Sequence, residues 1–126
     1  MEREISSRKK GAEIEAAVTR YLAKNGYAII ETNYFSNFGE IDIIAKEKKT
    51  LVFVEVKAKS RESGMNPLEA ITPKKMRRII QSAKEYMMMK NISRVYVRFD
   101  VAGVITSGGM PEKIEIIKDA FQDGAL

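Results

Sequence analysis

Two short runs of side-chain alternation, close together in a 126-residue chain, constrain its fold more than any other feature. In Gly39-Glu40-Ile41-Asp42-Ile43-Ile44-Ala45 a period of two sends Glu40 and Asp42 to one face and Ile41 and Ile43 to the other. In Leu51-Val52-Phe53-Val54-Glu55-Val56-Lys57 the same period puts Glu55 and Lys57 together, backed by Val52, Val54 and Val56. Glu47, Lys48, Lys49 and Thr50 form a connection short enough to fold the two strands antiparallel, with Asp42 opposite Glu55. Two facing carboxylates beside an ammonium group make a site for a hard divalent cation and a phosphate. The same pattern also describes an exposed sheet face carrying a cross-strand Glu–Lys pair.

The chain has no cysteine and no histidine. Disulfides, thiolate zinc sites, thiol nucleophiles and imidazole bases are therefore excluded. Any chemistry must use carboxylates, lysines, hydroxyls or a metal ion held by oxygen. At this length one domain can bury its own core. No apolar run approaches the ~18 residues of a membrane span, and the N-terminus has no signal-peptide core, so a soluble cytoplasmic protein without a membrane partner is expected.

The net charge of +5 is unevenly placed: between Thr72 and Arg98 eight Lys/Arg accompany a single acid, Glu85, for a local charge of +7. Such a block attracts a polyanion, nucleic acid first. A solvated, lysine-rich helix face would look the same.

Along the chain, residues 1–10 are expected to form a basic flexible arm, residues 11–118 a single domain and residues 119–126 a short tail. Gly11 to Asn25 has helical spacing at Ile14, Ala17, Val18, Tyr21 and Leu22, with Asn25-Gly26 as its stop. A strand over Tyr27–Thr32 precedes the hairpin, and a polar loop over Ala58–Ala70 follows it. Thr72-Pro73 opens a second helix, with Thr as N-cap and Pro in the first helical position. Lys74 and Lys75 then fall in its first turn, where the helix dipole opposes positive charge and a bound phosphate would offset that cost. Ser93 to Ile105 alternates again, and Lys113 to Ile117 makes a last strand. The order helix, three strands, helix, two strands predicts an α/β domain with a central mixed five-stranded sheet flanked by helices.

Phosphodiester hydrolysis needs an activated water and neutralised phosphoryl charge, and a carboxylate-held Mg²⁺ or Mn²⁺ supplies both. Asp42 and Glu55 suit such an ion, with the Val56 carbonyl as a further ligand, and Lys57 is placed to orient water or stabilise charge. Glu15 borders the apolar stripe of the first helix. Turned toward the sheet it would need a metal or Lys57 as partner; with its stem packed it could equally keep its head in water.

Asp42, followed after twelve residues by Glu55-Val56-Lys57, resembles the PD-(D/E)xK signature of the restriction-endonuclease-like fold. Gly11, Glu15, Tyr21-Leu22, Gly26-Tyr27, Asn33, Gly39-Glu40-Ile41-Asp42, Val52-Phe53-Val54-Glu55-Val56-Lys57, Lys75, Ala83 and Arg98-Phe99-Asp100-Val101 resemble one branch of it, the YraN-like family of predicted bacterial endonucleases. The resemblance implies that Asp42 and Glu55 bind metal, that Lys57 is the catalytic lysine, and that Glu15 completes the site from the first helix. Ile41 stands where the superfamily signature has proline, Val18 replaces a frequent alanine, and Lys59 replaces a frequent arginine, which keeps the charge but loses bidentate phosphate recognition. Lys59, Lys74, Lys75 and Arg78 are the expected nucleic-acid contacts.

The resemblance points to a metal-dependent endonuclease acting on DNA, with branched or single-stranded intermediates as substrates by analogy. The alternative is a nucleic-acid-binding module of the same fold that does not cut. A third class is an interaction protein docking through the basic helix. Exposed strand edges would permit a homodimer.

Overall fold

The hairpin forms as expected, as the second and third strands of a larger sheet. The computed structural model describes the backbone of residues 2–124 and the side chains of residues 11–124. Its elements are α1 (Glu2–Lys24), β1 (Tyr27–Phe35), β2 (Glu40–Glu47), β3 (Thr50–Ser60), α2 (Pro73–Met89), β4 (Tyr96–Ser107) and β5 (Met110–Phe121). Two short 3₁₀ turns, Arg61–Ser63 and Pro67–Ala70, lie between β3 and α2. The strands are ordered β1-β2-β3-β4-β5. All neighbours are antiparallel except β3 and β4, which run parallel because α2 is the crossover between them. This mixed sheet and its α-β-β-β-α-β-β order match the restriction-endonuclease-like fold.

Each helix covers one face of the sheet. α1 places Val18 and Leu22 against Ile43, Val52, Val54, Ala102 and Val104. α2 begins where Thr72 accepts a hydrogen bond from the Lys75 N–H and Pro73 occupies the first turn. It buries Ile79, Ile80, Ala83 and Tyr86 against Ile44, Leu51, Phe53 and Phe99. Tyr34, Tyr86, Phe53, Phe99 and Phe121 form a chain of ring contacts across this layer, with neighbouring centroids 5.1–6.0 Å apart.

β3 is central, so both its faces are covered: Leu51 through Glu55 are all buried, where alternation predicted one wet face. Glu55 therefore lies inside the protein.

Other boundaries also moved. Ala58, Lys59 and Ser60, expected in a loop, continue β3 and pair with Val104, Ile105 and Thr106. The tail expected from Asp119 begins later, because Phe121 is buried against Phe99 at the end of β5. The flexible arm expected over residues 1–10 is instead helical: the backbone of residues 2–10 continues into α1, which runs from Glu2 to Lys24. The side chains of residues 1–10 and the last two residues of the chain lie outside the described residues. Among the described residues no helix is long and apolar enough to cross a membrane.

Candidate functional site

The site sits where the regular sheet gives way. β2 and β3 pair through Ile43 and Val54, and that register, carried one step further, sets Asp42 opposite Glu55. Instead of continuing the backbone ladder, the Asp42 Oδ2 accepts the Val56 N–H at 2.7 Å. A carboxylate thus satisfies a part-buried backbone donor that a strand would otherwise have paired.

The other side of β2 is irregular at the same point. Thr32 pairs with Ile43 and Tyr34 with Ile41, leaving Asn33 opposite Asp42. Asn33 has a φ of 53°, a left-handed conformation that asparagine tolerates well. The alternation expected through Ile41 and Ile43 breaks here: Ile41 joins the α2-side core and Ile43 the α1-side core. This kink lets one residue, Asp42, interact with groups on both faces.

Glu55 is only 5% exposed, and its Oε2 has no hydrogen-bond partner. The nearest cation is the Lys75 ammonium, 3.7 Å from that oxygen. Burial raises the Glu55 pKa to about 8, with Asp42 adding to the rise and Lys75 and Lys57 opposing it. Glu40 is pushed upward by burial and by the charges of Asp42 and Glu15, with Lys75 opposing. Glu15 is likewise raised, chiefly by burial, while a hydrogen bond from the Asn33 side chain pulls it back. Four carboxylates therefore share one electrostatic neighbourhood. Glu40 belongs to it, a role that its position in the sequence motif did not reveal.

Glu55, Lys57 and Lys59 alternate onto one face of β3, whose pairing with β4 is regular throughout. Lys75 was expected to contact nucleic acid; it is half-buried and faces Glu55 from the first turn of α2. Lys74 and Arg78 are exposed on the same helix. Arg98, counted in the basic block, is not available to a polyanion. Its guanidinium bonds both oxygens of Asp100 at 2.8 and 2.9 Å and Glu47 at 2.8 Å. Asp100, fully buried, also accepts from the Tyr27 hydroxyl at 2.7 Å and the Asp119 N–H at 3.0 Å. Polarity alone gave no hint of this internal network, because an Arg-x-Asp pair on a strand looks like any solvated face.

The oxygen donors at the site suit a hard divalent cation, and the orphaned Glu55 Oε2 beside Asp42 is the atom such an ion would satisfy. Among the described residues no three acidic side chains converge as a metal cage, and Glu15 is engaged by Asn33. Mg²⁺ needs only one or two carboxylates, completing its shell with water and substrate oxygens. The Asp42–Glu55 pair meets that demand.

Comparison with known proteins gives a consistent lineage. The model of the uncharacterised protein family UPF0102 matches residues 14–104, which include every residue of the site. The chain belongs to UPF0102. It is 40% identical over 119 residues to a UPF0102 protein of Desulforapulum autotrophicum, covering 94% of this chain and 98% of that one. A UPF0102 protein of Persephonella marina is 41% identical over 112 residues, covering 89% and 92% of the two chains. One from Desulfosudis oleivorans is 43% identical over 111 residues, covering 88% of each. This UPF0102 chain is thus a member of the YraN-like family that its motifs resemble.

Proposed function

We propose that this UPF0102 protein is a metal-dependent endonuclease that hydrolyses DNA phosphodiester bonds. The observation that carries the proposal is the buried, unpartnered Oε2 of Glu55, held beside Asp42 and facing Lys75. A buried carboxylate with an unsatisfied oxygen costs stability, and a fold built only for strength would replace it with an apolar residue. Kept there, it is a ligand waiting for a cation.

Asp42 and Glu55 would hold Mg²⁺ or Mn²⁺, with the Val56 carbonyl as a further oxygen ligand. The bound ion would supply Lewis-acid polarisation of a phosphoryl oxygen and a more acidic water. Lys57, on the same face of β3 as Glu55, orients the attacking water and stabilises charge developing on the phosphate. Lys75 and the first turn of α2 bring positive charge and dipole toward the same anion. Lys59, Lys74 and Arg78 extend the phosphate contacts along the strand. Glu15 and Glu40 tune the site's charge and bind substrate-side waters.

Purified protein incubated with linear, single-stranded and branched DNA, with and without Mg²⁺ or Mn²⁺, tests this reading. Wild type cuts only with metal, while Glu55→Gln and Lys57→Ala bind DNA and leave it intact. Metal-independent binding without cutting across that panel would instead establish a binding module of the same fold.

A further inference from the structure

Asn33 interrupts β1. It is the only residue of that strand with a left-handed backbone, at a φ of 53°, and an extended residue there would carry less strain. Its place is opposite Asp42, between the pairs Thr32–Ile43 and Tyr34–Ile41. From this kink its side-chain amide reaches the first helix, where Nδ2 donates to Oε1 of Glu15. The bond therefore ties α1 to β1 directly beside a residue of the site.

Packing does not fix Glu15 in this position. The residue is half-buried and borders an open hollow of about 460 Å³ between α1 and β1. Ala12 and Ala16 leave room along the helix, and exposed Arg20 at the rim of the hollow offers an opposite charge. Burial and the neighbouring Asp42 charge both disfavour an ionised Glu15 where it now stands. An untethered glutamate would turn toward water and Arg20, away from Asp42. The Asn33 hydrogen bond acts in the other direction and keeps the charged group in place. Asp42 thus lies among carboxylates from both layers: Glu55, which faces α2, and Glu15, which α1 supplies.

We propose that Asn33 is a positioning residue that holds the Glu15 carboxylate beside Asp42, so that the two negative charges together draw a divalent cation to the site. The inference deepens the nuclease reading and rests on it for what the cation then does. Like charges held close repel, and a divalent cation relieves that repulsion. A strained residue inside a strand, its side chain tied to a carboxylate on another element, weakens the sheet locally and orders the site. The group Asn33 acts on is named by the bond it makes, and no other residue of β1 makes a side-chain hydrogen bond to α1 among the described residues.

Calorimetric titration with Mn²⁺ in the absence of DNA, and thermal unfolding of the metal-free protein, test this on wild type, Asn33→Gly, Glu15→Gln and the double variant. Glycine takes a left-handed backbone freely, so Asn33→Gly removes the amide and keeps the fold. Its metal-free melting temperature stays within about 2 °C of wild type. Its Mn²⁺ affinity falls on the order of tenfold. In the Glu15→Gln background the same substitution lowers affinity no further, because Asn33 acts only through the Glu15 charge. Unchanged affinity in Asn33→Gly overturns the proposal, and so does a loss that persists in the Glu15→Gln background. A lower melting temperature with intact affinity marks a purely structural tether and has the same consequence. If the affinities behave as stated while wild type never cuts DNA, the nuclease reading fails and the tether stands. If wild type cuts with metal and Asn33→Gly binds Mn²⁺ as wild type does, the tether fails and the nuclease reading stands. No Mn²⁺ binding by wild type overturns both.

Discussion

The Lys75 ammonium stands 3.7 Å from the unpartnered Oε2 of Glu55, too far for a hydrogen bond and close enough to matter electrostatically in a buried setting. It opposes the burial that raises Glu55 but does not overcome it. Lys75 thus partly compensates the buried charge without capping the oxygen, leaving that atom open to a stronger cation.

Replacing Lys75 with methionine removes this compensation. Because Lys75 acts on ionised Glu55, the loss of stability is on the order of 1 kcal/mol at pH 9 and near zero at pH 5. Thermal unfolding at both values checks it. An equal fall at both would mean that Lys75 contributes packing and not charge.

Glu55 makes the metal-free protein less stable as pH rises. Its folded pKa, about 8, exceeds the ordinary 4.5, so the folded state holds its proton more tightly than the unfolded chain. That contribution is fully present below about pH 4.5 and disappears as pH climbs through about 8, a change on the order of 5 kcal/mol. Glu55→Gln should flatten the melting-temperature profile over this window and be more stable than wild type at pH 9. A Gln variant that melts lower than wild type at pH 9 would refute the argument.

Divalent cations should reverse that loss in wild type. Ligand at a hundredfold excess over its dissociation constant raises stability by about 2.7 kcal/mol. Mg²⁺ or Mn²⁺ therefore raises the melting temperature of wild type at pH 8 and fails to do so for Asp42→Asn or Glu55→Gln. Calorimetric titration gives the same comparison without unfolding. A melting shift that survives both substitutions would locate the cation elsewhere.

Asp100 is a structural anchor: it is the register partner of Val54 on the neighbouring strand, and its carboxylate bonds Arg98 and Tyr27. Asp100→Ala strands the Arg98 guanidinium and the Tyr27 hydroxyl, at a cost of about 3–5 kcal/mol. Urea unfolding measures it. Lys118 and Arg98 also lower the Glu47 pKa below its ordinary value, with the Lys118 hydrogen bond the larger cause. Milder losses, below about 1 kcal/mol, would show that Arg98 re-pairs with Glu47 alone.

Much of the site was legible because strand geometry is local. A period of two and a short connection suffice to bring Asp42 opposite Glu55, and the register bears this out to Ile43 and Val54. Thr72 and Pro73 announced α2 through capping chemistry that acts within one turn. Other features were not legible because their partners are distant in sequence. Asp100 meets Tyr27 across 73 positions, and Ser36 meets Ser82 across 46. Charge counting assigned Arg98 to a basic surface because a sequence does not say which cations are already paired inside.

The chain's order of residues determined the strands, the helices and the two carboxylates that oppose each other, since each follows from contacts a few positions apart. Tertiary structure alone decided that Glu55 is buried, because only stacking α1 and α2 on opposite faces of the sheet removes water from both sides of β3. It also decided that Asp42 would leave the regular ladder to take the Val56 N–H, and that Lys75, twenty residues beyond Glu55, would come to face it. Desolvation is a property of the assembled fold, and it is desolvation that turns an ordinary glutamate into one that holds its proton up to about pH 8.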